Sequence, residues 1–156
     1  MALVPYFKEL TDNILEFLRG LTNIEKNVAI RAHPWMYMFG MPDTYFPGFF
    51  VVPPSIGTVQ HPIYGTVLQI NYSIYYVMRM DEETLSTDNP LQEMEDITSR
   101  FVEKFEEDPY MGLREFVDAG EYSCSIENEM TFRARDLSQP YIALKIELTF
   151  TARMQR

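Results

Sequence analysis

The chain has 156 residues, 46% hydrophobic and 23% charged, which sets one globular domain as the expectation and excludes a disordered polypeptide. A formal net charge of −10 disfavours sequence-independent binding to phosphate backbones. Cys124, the sole cysteine, excludes an intramolecular disulfide and a cysteine-based zinc site, and reads as a small buried hydrophobe.

The opening residues Met1-Ala2-Leu3-Val4-Pro5-Tyr6-Phe7-Lys8-Glu9 lack the basic stretch and long apolar run of a signal peptide. An amphipathic helix is expected over 6–18, because Phe7, Leu10, Ile14, Phe17 and Leu21 recur at steps of three and four. Pro5 suits its first turn and Gly20 its C-terminal cap. A turn then leads into the short apolar run Val28-Ala29-Ile30.

Over about 33–66 the text changes to an irregular insertion rich in proline and aromatics. His33-Pro34, Met41-Pro42, Val52-Pro53-Pro54 and His61-Pro62 break any long element. Phe49-Phe50-Val51-Val52 is the one strand expected inside it. With Trp35, Tyr37, Phe39 and Tyr45 nearby, this segment is expected to pack on its own domain or on a neighbour.

Residues 67–80 carry the clearest strand pattern. Leu68, Ile70, Tyr72, Ile74, Tyr76 and Met78 alternate with Gln69, Asn71, Ser73 and Tyr75, giving one apolar and one largely polar face. A polar loop with Asp81-Glu82-Glu83 precedes a second helix, capped by Asp88 or Asn89 with Pro90 in its first turn. Leu91, Met94, Ile97, Phe101 and Phe105 form its stripe, Asp96 and Arg100 form an outer pair, and Asp108-Pro109 ends it. Alternating strands follow over 120–130 and 141–154, joined by a link over 131–140 and expected to form an antiparallel hairpin. The fold expected is therefore α+β: two helices on one face of a mostly antiparallel sheet of about four strands, in the order α-β-β-α-β-β.

Motifs for chemistry are scarce. Neither G-x-x-x-x-G-K-S/T nor G-x-G-x-x-G occurs, and H-E-x-x-H and G-x-S-x-G are absent. His33 and His61 each precede a proline and read as turn or packing histidines rather than metal ligands. The acidic clusters at 81–83 and 103–108 read as solvated charge, because adjacent carboxylates have no evident reason to differ in pKa. No catalytic residue, metal or cofactor is assigned. Phe132, Arg133, Arg135 and Asp136 in the last link, with Trp35 and Phe49, are the candidate interface residues, since arginine and aromatics dominate binding hot spots.

The order of elements resembles the tail terminator, or tail completion, proteins of long-tailed bacteriophages. The resemblance is carried by Phe46-Pro47-Gly48-Phe49-Phe50-Val51-Val52, by Leu68-Gln69-Ile70-Asn71-Tyr72-Ser73-Ile74-Tyr75-Tyr76-Val77, by Phe105-Glu106-Glu107-Asp108-Pro109-Tyr110-Met111-Gly112, and by Ala143-Leu144-Lys145-Ile146-Glu147-Leu148-Thr149-Phe150. It implies a homohexameric ring, without enzymatic activity, in the neck of the virion and assembled in the host cytoplasm. The ring's partners would be the tail tube protein and the head–tail connector protein, with DNA passing through the centre without specific binding. A head-side connector or stopper, a tail tube-like subunit, and a small ligand-binding domain or enzyme are the rival expectations.

Overall fold

The computed structural model describes residues 3–21, 28–30, 48–79, 89–112, 116–127 and 141–153. In chain order these form α1 (Leu3–Arg19), β1 (Val28–Ile30), β2 (Gly48–Val51), β3 (Ser55–His61), β4 (Gly65–Arg79), α2 (Asn89–Glu107), β5 (Glu121–Glu127) and β6 (Tyr141–Ala152). The strands make one sheet in the order β1-β2-β4-β6-β5, and β3 pairs with β4 on the edge that β2 also uses. Only β1 and β2 run parallel; the other pairings are antiparallel. The α+β expectation holds, with six described strands where about four were expected.

β4 is the spine because its alternation leaves a single sensible register. Tyr72, Ile74 and Tyr76 stand opposite Leu148, Ile146 and Leu144 of β6, and all six are buried. Slipping β4 by one residue would drive Asn71, Ser73 and Tyr75 into the core instead. β5 adds to the far side of β6 with Cys124 opposite Ile146, which forms the expected hairpin pair.

Both helices lie on this apolar face. Leu10, Ile14 and Leu18 of α1, with Met94, Ile97, Phe101 and Phe105 of α2, are buried in the same cluster as the strand residues. Phe101 stacks on Phe105 at 5.5 Å, and Tyr122 meets the edges of both rings at 5.8 and 5.3 Å. Burying each such side chain contributes about 1.5–3 kcal/mol, so truncating Phe101 or Phe105 would weaken the hold of α2 on the sheet.

Side chains of α2 satisfy the open C-terminus of α1. Lys104 Nζ donates to Phe17 O at 3.1 Å, and Arg100 donates to Leu21 O at 3.2 Å. The last carbonyls of a helix lack intrahelical partners and carry the negative end of its dipole, so cations suit them. Arg100 therefore serves the helix joint rather than the expected outer pair with Asp96.

The opposite sheet face is mixed. Phe50, Val77 and Ala143 are fully buried at one end. Farther along, Asn71, Ser73, Thr149 and Thr151 are half-buried and Glu147 is exposed, with Thr149 Oγ1 donating to Asn71 Oδ1 at 2.9 Å.

Candidate assembly surface

β3 was expected to be irregular, and it is a seven-residue strand. Its neighbouring prolines do not break it because they occupy the places where pairing pauses. Val51 stands opposite Ile74 while Ser55 stands opposite Asn71, so three residues, Val52-Pro53-Pro54, oppose two. That is a bulge, which absorbs residues that cannot donate to a ladder and bends the strand. At the other end, His61 stands opposite Gly65 across the three-residue turn Pro62-Ile63-Tyr64. Gly65 has φ of 71°, the left-handed position that closes such turns and that other residues rarely adopt.

The hairpin tip is pinned from two sides. His61 Nδ1 accepts from the backbone N–H groups of Ile63 and Tyr64 at 3.1 and 3.3 Å. Nε2 of the neutral imidazole then carries the proton and donates to Asp118 Oδ2 at 3.1 Å. Asp118 is placed by the preceding pairing of Val117 N with Thr151 O. The Arg153 guanidinium lies 4.4 Å over the Tyr64 ring. With both ring nitrogens engaged, His61 and Asp118 position the hairpin.

Much of the arm remains exposed. Ile63 at the tip is 80% exposed, Ile56 on β3 48% and Tyr64 44%. Ile126 on β5 is 37% exposed at the opposite edge of the sheet. β3 and β5 have no further strand beside them among the described residues, so both are edges of the sheet. Neither contains Lys, Arg or Pro, the residues that usually blunt an edge. Beside β5, an open groove of about 410 Å³ runs between α2 and the strand, lined by Glu95, Thr98, Ser99, Cys124 and Ile126. Cys124 is half-buried rather than buried, and desolvation pushes its thiol above the usual range.

Of the expected interface residues, Trp35, Phe132, Arg133, Arg135 and Asp136 lie outside the described residues, as do His33 and the 81–83 cluster. Phe49 is in the core and not at an interface: its ring packs 4.7 Å from that of Tyr76, fully buried. The reason is its register opposite Tyr76, which turns it toward the helices. Sequence reasoning missed Ile56, Ile63, Tyr64 and Ile126. The uncharged run Ser55-Ile56-Gly57-Thr58-Val59-Gln60-His61, followed three residues later by Gly65, is the signal that could have revealed the hairpin.

Among the described residues, no group of three or more His, Cys, Asp or Glu gathers to hold a metal ion, and no helix is long and apolar enough to cross a membrane. A scan against protein-family models and a search of curated proteins each found no match.

Proposed function

We propose that this chain is a structural subunit of the phage tail-terminator kind. Six copies would form a ring that caps the tail tube, stops its polymerisation and docks to the head–tail connector. The observation that carries the reading is a sheet with a seven-residue strand, β3 on one side and β5 on the other, that has no further strand beside it among the described residues. Two different open edges on one subunit suit head-to-tail association, which closes into a ring when the rotation between copies closes. The order of elements read in the sequence, which resembles that of the terminator family, adds support. So does the net charge of −10, which lets DNA pass a lumen without adhering.

Deleting the gene tests the role. The expected result is tails of uncontrolled length, or heads and tails that fail to join. Joined particles with tails of normal length would overturn it.

A further inference from the structure

β3 and β5, each an edge among the described residues, match one another in direction, hydrogen-bonding phase and chemistry. β3 and β6 both run antiparallel to β4, and β5 runs antiparallel to β6, so β3 and β5 point in opposite directions. Rotation about an axis along the strands preserves these directions. β3 of one copy would thus meet β5 of the next as an antiparallel pair.

The hydrogen-bonding phase follows from two contacts. Ser73 O accepts from Val52 N at 3.0 Å, and Thr151 O accepts from Val117 N at 2.9 Å. Odd-numbered residues of β4 therefore direct main-chain groups toward β3, and odd-numbered residues of β6 direct theirs toward β5. Through the pairs Ser55–Asn71 and Glu121–Thr149, the odd residues of β3 and β5 bond within the subunit. Ile56, Thr58 and Gln60, and likewise Tyr122, Cys124 and Ile126, turn their N–H and C=O groups outward. Both outward sets carry their side chains on the helix side, shown by Ile56 opposite Ile70 and Cys124 opposite Ile146.

Pairing all seven residues of each strand places Ile56 opposite Ile126, Thr58 opposite Cys124 and His61 opposite Glu121. Two exposed isoleucines then cover each other at the mouth of the groove beside α2. Charge favours the same arrangement. β3 contains no carboxylate to repel a second acidic copy, and the hairpin tip bearing Arg153 over Tyr64 meets the end of β5 that bears Glu121.

We infer that β3 of one copy pairs antiparallel with β5 of a second copy in this register, continuing one sheet from subunit to subunit. The inference rests on the ring reading and adds the surface and the register.

The test uses the full chain, with assembly followed by native mass spectrometry. Directly opposed hydrogen-bonded residues sit about 5.5 Å apart at Cα, within disulfide reach. Thr58→Cys under mild oxidation at alkaline pH is expected to convert the monomer band into a ladder of intersubunit disulfides with native Cys124. Gln60→Cys, displaced by two residues, is expected to leave the monomer band in place. Thr58→Pro removes only an outward N–H and is expected to shift rings to folded monomers. Rings that persist in Thr58→Pro, or a ladder no stronger for Thr58→Cys than for Gln60→Cys, would overturn the edge pairing and leave the ring reading standing. A wild-type chain that never assembles would overturn both.

Discussion

Thr11 of α1 and Tyr72 of β4 meet through their hydroxyl groups at 2.7 Å, in the apolar layer between helix and sheet. Thr11 is 3% exposed and is the one buried polar residue among those described. The bond sets the rotation of α1 over β4, because only that orientation brings the two oxygens together. Thr11→Val is expected to cost about 1–3 kcal/mol, the penalty for leaving the phenol without this partner. Combining Thr11→Val with Tyr72→Phe should cost less than the two single changes added together. Urea denaturation of the four proteins measures the coupling; strict additivity would show that the contact contributes nothing.

Tyr76 couples α2 to the same strand, its hydroxyl donating to Glu93 Oε1 at 2.9 Å. Burial first, and then the Glu93 charge and its hydrogen bond, push the phenol far above its usual range. The folded chain keeps this proton while the unfolded chain loses it above about pH 10, so the contribution is complete below that pH and declines as pH rises beyond it. Tyr76→Phe should therefore be less stable at pH 7 by about 1.5–3 kcal/mol, the typical worth of a hydrogen bond to a charged group. The gap should narrow between pH 10 and 12, over about 1.4 kcal/mol per pH unit. Denaturation midpoints of both proteins across that range check the sign.

Gly120 sits where three groups leave no room for a side chain. A Cβ there would lie 2.7 Å from Phe150 and 2.8 Å from Pro109 O, while Gly120 N donates to that same carbonyl at 2.8 Å. Gly120→Ala is expected to destabilise the subunit by about 1–3 kcal/mol, through overpacking against a rigid backbone oxygen. A thermal midpoint equal to that of the wild type would contradict this.

Cys124 should react slowly for its exposure. The folded chain favours the neutral thiol, and well below its pKa the reactive thiolate falls about tenfold for each pH unit. Alkylation of the native protein by iodoacetamide should lag behind that of the urea-unfolded protein at pH 7.5, and its rate should still be rising above pH 9. Equal rates in the two states at pH 7.5 would show the thiol to be unperturbed.

The sequence revealed the parts of the fold that alternate or recur because one of their faces is buried. The strand expected over 67–80 is Gly65–Arg79, and the helix over 6–18 is Leu3–Arg19. Ser55–His61 escaped because neither of its faces is covered, so no alternation marks it, and its flanking prolines read as breakers rather than as bulge and turn. Phe49 was legible as a strand residue but not as a core one, since the run Phe49-Phe50-Val51 is apolar on both faces and gives no phase. Arg100 pointed to Asp96 by spacing, but the carbonyl of Leu21, just past the end of α1, is a partner that only the tertiary fold supplies.

The extra residue at Val52-Pro53-Pro54 acts as a phase shifter. Before it, odd positions such as Phe49 and Val51 face the helices; after it, even positions such as Ile56 do. A chain one residue shorter there could not keep both segments in place. Either Phe49 would leave the core, or the hairpin would slip and carry His61 away from Asp118. Length in this stretch is thus more constrained than composition: substitutions at 52–54 can be absorbed where a single deletion cannot, the reverse of what an exposed connector ordinarily allows.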